Sequence, residues 1–330
     1  MNRGIRLRLP AALAVIATGA LLVGCGGDSK APSTRPAPKA AEFPAVAGRT
    51  LEEIGGAIAQ ANLVAAPAQL VFDAGENRYA FGVFTKGQEQ VADAEVALYL
   101  AQGKNGTAIG PFPASAEVLT TPPAYRSQTT SQDPGAATVV YVAPEVNFTK
   151  AGEWRVIAVF RTPKGLEGTL MPSAVVGRFP EIPRPGDPAP VIHTPTAEDV
   201  GGDLSKIDTR IPPDQMHKTD FADVVGRKPV VLLFATPQLC QSRTCGPVVD
   251  IAEQVRQEVS EEPGEDVAFI HQEVFNDNDP NKGARRQLRA FHLETEPWLF
   301  VIGSDGKVST RIEGAFSAEE LRRAIRKATP

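Results

Sequence analysis

Apolar positions fall into three regimes along this chain. A single apolar block at residues 10–24 follows a basic start. Residues 69–180 carry short apolar runs set apart by turn residues, and from residue 230 strand-length runs alternate with stretches of helical spacing. In the middle regime Gln69-Leu70-Val71-Phe72 and Tyr79-Ala80-Phe81-Gly82-Val83-Phe84 flank Asp73-Ala74-Gly75-Glu76-Asn77 as turn material. Glu95-Val96-Ala97-Leu98-Tyr99-Leu100 alternates as a strand does. Thr138-Val139-Val140-Tyr141-Val142 and Trp154-Arg155-Val156-Ile157-Ala158-Val159-Phe160 are β-branched and aromatic. Runs of this kind between Gly- and Pro-rich loops predict an all-β antiparallel sandwich over residues 66–182, with Trp154 as a core anchor.

The last regime reads differently. Val230-Val231-Leu232-Leu233-Phe234-Ala235 is continuously apolar, as a strand covered on both faces requires. Val248, Ile251, Ala252, Val255 and Val259 then recur at helical spacing, with Glu253, Gln254, Arg256 and Gln257 opposite and Pro263-Gly264 as a stop. Val267-Ala268-Phe269-Ile270 predicts a second central strand. Residues 282–293 predict a helix with Leu288 and Phe291 facing in. Trp298-Leu299-Phe300-Val301-Ile302 and Val308-Ser309-Thr310-Arg311-Ile312 predict a hairpin about Ser304-Asp305-Gly306-Lys307. Ser317 with Glu320 is a capping-box signature for a last helix bearing Leu321, Ala324 and Ile325. Its basic end, Arg322 to Lys327, suits the helix dipole. The order is β-α-β-α-β-β-α, an α/β domain over residues 183–330. The proline-dense hinge Glu181-Ile182-Pro183-Arg184-Pro185-Gly186-Asp187-Pro188-Ala189-Pro190 marks its boundary.

A length of 330 residues accommodates two such domains and a tail. The net charge of −5 gives no reason to expect nucleic acid as a partner. With only 3 Met and 4 His, a metal-rich surface is not expected. Neither a cofactor nor a metal is implied by any motif: none of His193, His217, His271 or His292 sits in a ligand pattern. Asn276-Asp277-Asn278-Asp279 is oxygen-rich but lacks the Gly and closing Glu of a calcium loop, which predicts a solvated turn.

Arg3, Arg6 and Arg8 precede the block at residues 10–24, which is shorter than a spanning helix needs and ends Leu22-Val23-Gly24-Cys25. This segment resembles the lipobox of bacterial lipoproteins. The resemblance implies a signal peptide over residues 1–24, cleavage before Cys25 and a lipid on its sulfur. An ordinary secretory signal is the other reading, and either places the mature chain outside the cytoplasm, where disulfides persist. The expected location is the cell membrane, lipid-anchored and extracytoplasmic. Residues 25–65 are expected to be a flexible tether, rich in Pro, Ala, Ser and Lys up to about residue 47. It includes one short helix from Thr50-Leu51-Glu52-Glu53 to about Ala61, capped by Thr50.

With Cys25 assigned, Cys240 and Cys245 remain as a pair, and four residues separate them at the mouth of a buried strand. A short loop at a strand–helix junction brings two Cα atoms within the roughly 4.4–6.8 Å that a disulfide needs, so the pair is expected to be bridged. A sulfur at a helix N-terminus has its thiolate stabilised by free N–H groups and the dipole, which makes Cys245, nearer the helix, the more acidic thiol.

The element order over about residues 185–330 resembles the thioredoxin fold, and the lead-in Gly186-Asp187-Pro188-Ala189-Pro190 resembles those of related extracytoplasmic domains. The specific part is Ala290-Phe291-His292-Leu293-Glu294-Thr295-Glu296-Pro297-Trp298-Leu299-Phe300-Val301-Ile302, followed by Asp305-Gly306 and Glu313-Gly314-Ala315. It is similar to the thioredoxin segment in which a cis-proline lies beside the cysteines, and the resemblance implies that place for Pro297. Two departures stand against it. Thioredoxins separate their cysteines by two residues, so either Cys240 takes the nucleophile's place, or Cys245-Gly246-Pro247 matches the start of Cys-Gly-Pro-Cys with Val248 in place of the second cysteine. Their buried Asp falls here on Leu233, and no His or carboxylate in the loop replaces it. More loosely, Gln90-Val91-Ala92-Asp93-Ala94-Glu95-Val96 and Phe148-Thr149-Lys150-Ala151-Gly152-Glu153-Trp154 resemble bacterial immunoglobulin-like modules.

The expected function is thiol–disulfide exchange with exported proteins or a redox partner. Cys240 and Cys245 are the couple, and Pro297 is the wall against which a substrate chain pairs. The competing class is a non-catalytic surface binding protein whose bridge staples a loop, a gain of about 2 kcal/mol for so short a ring. Thr236 is one residue too far from Cys240 for the peroxiredoxin Thr-x-x-Cys pattern, and thioredoxin-like copper chaperones use a shorter cysteine spacing. Both are minor readings.

Overall fold

The structure is a computed structural model that describes residues 33–262 and 266–329. The expected signal segment, Cys25 and the expected stop at Pro263-Gly264 lie outside the described residues. No helix among the described residues is long and apolar enough to cross a membrane.

Part of the segment expected to be a tether is packed against the sheet. Phe43 and the helix α1 (Leu51–Gly55) are packed, with Leu51 and Ile54 buried against Ala97, Tyr99, Ile157 and Val159. Thr50 and Glu53 form a reciprocal capping box. The helix stops at Gly55-Gly56, short of Ala61, since glycine gives a helix little reason to continue. Eight strands follow: β1 (Ala59–Gln60), β2 (Leu63–Pro67), β3 (Gly75–Thr85), β4 (Glu95–Gln102), β5 (Ile109–Val118), β6 (Val139–Phe148), β7 (Gly152–Thr162) and β8 (Gly165–Val176). The helix α2 (Gln128–Gln132) interrupts the loop between β5 and β6. Residues 69–72 are irregular rather than a strand, held by the Gln69 side chain on the Arg78 carbonyl and by a single bridge from Phe72 to Val176.

The strands are hydrogen-bonded as one curled sheet in the order β1-β8-β7-β4-β5-β6-β3-β2. The link is β5, whose residues Ile109 to Ala114 pair with β4 while Ser115 to Val118 pair with β6. Side chains alternate as the pleat demands. Val96, Leu98, Tyr79, Phe81, Tyr141 and Phe160 point into the space enclosed by the curl, where Trp154 also lies. Ala97 and Tyr99 face α1 on the outside. Ala80, Val140 and Val142, on the outer face of β3 and β6, meet the C-terminal half of the chain.

That half contains α3 (Phe221–Val224), β9 (Val230–Phe234), α4 (Cys245–Glu261), β10 (Ala268–Gln272), α5 (Arg286–Ala290), β11 (Trp298–Ile302), β12 (Val308–Glu313) and α6 (Ala318–Ala328). From β9 onward this is the expected β-α-β-α-β-β-α order. The sheet runs β10-β9-β11-β12, with β10 parallel to β9 and β11 antiparallel to both neighbours. Val231, Leu233, Leu299 and Val301 meet α4 and α6 on one face. Leu232, Phe234, Phe300 and Ile302 meet Phe221, Leu288 and Phe291 on the other. The helix expected over residues 282–293 is only the five residues of α5. Gly283 has φ 71°, Arg285 is extended, and the Asn276 side-chain amide holds the carbonyls of Lys282, Gly283 and Ala284. Asn276 to Asp279 is thus a turn tied to its neighbours, with the Asn278 amide also donating to the Ser205 carbonyl at 2.9 Å. Ser317 caps α6 through the Glu320 N–H, but the Glu320 carboxylate reaches Arg78 at 2.6 Å instead of closing a box.

Candidate functional site

The strand β9 delivers the chain to Ala235, and a loop of residues 236–244 returns it to α4. Cys240 and Cys245 are bridged in a disulfide across this loop, with Cα atoms 5.9 Å apart. The two sulfurs stand in different surroundings. Cys245 is the first residue of α4 and is fully buried, while Cys240 is half-buried and lines an open groove of about 840 Å³. No side chain caps α4: Thr244 makes no capping bond, and Cys245 stands in the first turn, at the positive end of the helix dipole. The Ser242 hydroxyl lies 3.1 Å from Cys240 Sγ and 2.8 Å from Thr244 Oγ1.

The N-terminal half supplies the other wall of the groove. Thr130, Asp133 and Pro134 face Leu239, Cys240 and Pro247 across it. Arg243, held at φ 55°, pairs with Asp133 at 3.2 Å, and its carbonyl accepts the Ala137 N–H at 3.0 Å. Deeper in, the fully buried Asp250 of α4 accepts from the Ser127 N–H at the start of α2 and pairs with Arg210 at 2.9 Å.

A carboxyl group does stand beside the sulfurs, though it comes from outside the loop, in which no His or carboxylate takes the place of the missing Asp. Donor atoms of Glu296, Cys240 and Cys245 all lie within 4.8 Å of one another. Glu296 comes from the far side of the site, directly before Pro297, and the peptide bond between them is cis. Glu296 Oε2 is buried and has no hydrogen-bond partner. Burial first, and the nearby Glu273 carboxylate second, push its pKa up to about 8. Leu233, at the position of the expected Asp, is buried in the core. The sequence signal for Glu296 was an acidic residue set between Thr295 and Pro297 at the head of a buried strand.

Of the sequence-predicted residues, Cys240 and Cys245 are bridged, Pro297 directly follows the Glu296 that stands beside them, and Cys25 lies outside the described residues. A buried thiol at a helix N-terminus, an accessible sulfur and a carboxyl that keeps its proton at neutral pH form a set able to break and remake an S–S bond with proton transfer.

No protein-family model matches the chain, and no curated protein does. Among solved structures, the chain is similar to a thiol:disulfide interchange protein, a thioredoxin family protein, from Chlorobium tepidum TLS. The match has 20% sequence identity and a TM-score of 0.30, and it covers 44% of this chain and 98% of that one.

Proposed function

We propose that this chain is a thioredoxin-like thiol–disulfide exchange protein held at the outer side of a membrane by a lipid on Cys25. The observation that carries the redox reading is the pairing of an accessible Cys240 with a buried Cys245 beside the Glu296 carboxyl. A partner thiolate attacks Cys240 Sγ, the bond to Cys245 breaks, and Cys245 leaves as a thiolate. Glu296 gives that thiolate its proton. A second partner thiolate then attacks the partner's sulfur in the mixed disulfide and releases Cys240. The partner has lost two electrons to the pair, and the reverse sequence reduces a partner disulfide. Pro297, next to Glu296, is the wall against which the partner chain lies, and exported proteins or a redox protein are the partners.

What supports an immunoglobulin-like reading of the N-terminal half is its strand order. Taken from β2 to β8 as A to G, its two faces run A-B-E-D and C-F-G. In this reading the module carries the loop that walls the groove and so shapes what reaches Cys240.

The test is trapping. With Cys245→Ser, Cys240 is left as an accessible lone thiol and should accumulate a mixed disulfide with exported proteins. With Cys240→Ser, the buried Cys245 should not. A reduction potential below about −300 mV together with no trapped species in either variant would reduce the bridge to a structural staple.

A further inference from the structure

A second polar cluster lies behind the redox loop and owes nothing to the cysteines. Asp208, Asp214 and His217 come from the loop before α3, and His271 comes from β10. All four are buried, none more than 3% exposed, and one donor atom from each lies within 4.8 Å of the others. We propose that these four side chains form a closed tetrahedral zinc site, with the two imidazoles and two carboxylates as ligands.

The spacing fits. With zinc about 2.0–2.2 Å from N and O ligands, neighbouring ligand atoms of a tetrahedron stand roughly 3.3 Å apart. His217 Nε2 lies 3.3 Å from Asp208 Oδ2 and 3.4 Å from Asp214 Oδ1. His271 Nδ1 faces the other oxygen of each carboxylate, 3.9 Å from Asp208 Oδ1 and 2.7 Å from Asp214 Oδ2. On coordination each carboxylate must therefore turn to share one oxygen and the 2.7 Å contact must open, from a starting set already within 4.8 Å. The ligands are already aimed. His271 Nε2 is 3.1 Å from the Ala235 carbonyl, the outer bond that leaves Nδ1 to a metal. The Asp208 carboxylate accepts the N–H groups of Arg210 and Asp214, both at 2.7 Å, and Asp214 accepts that of Met216 at 2.8 Å. The charge also closes: two carboxylates and one divalent ion sum to zero in a site cut off from water.

A metal-free arrangement competes, in which a protonated His271 bridges Asp214 and the Ala235 carbonyl. It accounts for His271 and fails for His217, whose buried Nε2 has no hydrogen-bond partner and points at two carboxylates. The site would clamp the 208–217 loop to β10. Thr209 in that loop accepts the Gln238 N–H at 3.2 Å, so the clamp also supports the approach to Cys240.

The experiment is zinc content after the full chain is refolded with excess zinc ion and desalted. One equivalent is expected in the wild type and in a Cys25→Ser/Cys240→Ser/Cys245→Ser variant. Asp208→Asn/His217→Ala should retain roughly tenfold less, or lower still. Should that variant not fold, cobalt(II) added to the metal-stripped wild type decides: tetrahedral visible bands without thiolate charge transfer support the site, and their absence overturns it. A wild type that retains no zinc, zinc lost with the cysteines, or zinc kept by a folded Asp208→Asn/His217→Ala variant would each overturn it. The cysteine-free arm keeps this result independent of the redox reading.

Discussion

Glu296 is the residue whose chemistry depends most on its surroundings. In an unfolded chain a Glu carboxyl releases its proton near pH 4.3, whereas here it holds it to about 8. Between those values the fold keeps a proton that the unfolded chain has lost. Stability from this group is therefore complete below about pH 4.3 and drains away as pH rises toward 8. Glu296→Gln, which has no proton to hold, should match the wild type near pH 4 and exceed it by about 2 kcal/mol at pH 8. That figure allows for the group's residual exposure. Urea unfolding of the oxidised proteins at both pH values measures the difference, and parallel pH profiles would show that Glu296 ionises freely. The same variant should slow release of Cys245, since its amide cannot supply a proton. Neither this group nor the His217–His271 pair could be found from spacing. Glu296 is 51 positions beyond Cys245, and His271 is 54 beyond His217. Only the return of β10 and β11 alongside β9 closes those distances.

At the scale of elements, what was legible was what period and run length encode. The apolar runs that became β4, β6, β7, β9 and β11 are those whose burial demands an uninterrupted or alternating pattern, and α4 and α6 carry apolar stripes. The strand β5 was illegible because Pro111 and Pro113 sit within it, which reads as loop until β4 and β6 pair with it on either side. The truncation of α5 was equally hidden, since an Asn side chain and one positive-φ glycine outweigh a weak helical pattern. The contact of α2 with α4 was also out of reach, and it sorts two acidic residues by energy. Asp250 is fully buried, paired with Arg210 and bonded to the start of α2, so Asp250→Ala strands a buried guanidinium and should cost about 3–5 kcal/mol. Asp133 pairs with an exposed Arg243, and Asp133→Ala should cost under about 1 kcal/mol. Thermal melts compare them directly: a drop of roughly 6–20 °C for the first and almost none for the second. Equal shifts would mean that the α2 contact does not anchor on Asp250.

Taken whole, residues 33–329 behave as one packed body, because the outer face of β3 and β6 is buried only by the C-terminal half. Ala80, Val140 and Val142 share a core with α4 and α6. The polar seam around that core is also shared. Glu313 accepts the N–H groups of Leu70 and Val71 at 2.8 and 2.7 Å, Ser317 donates to Glu117 at 2.7 Å, and Arg78 reaches both Glu320 and the Ala315 carbonyl. The proline-dense hinge marks the boundary between the halves in the sequence, and separating them there would expose apolar residues on both sides and strand the buried carboxylate of Glu313. Cooperative unfolding follows from that arrangement. The oxidised chain should melt in a single calorimetric transition, with Val140→Asp in the N-terminal half and Val249→Asp in the C-terminal half lowering the same midpoint. Residues 183–330 expressed alone should be markedly less stable than the same residues in the full chain, and prone to associate through the bared face of α4 and α6. Two separable transitions, each answering to only one of the two substitutions, would show that the halves fold independently. The groove wall built by α2 would then be a movable partner of the disulfide rather than a fixed part of its site.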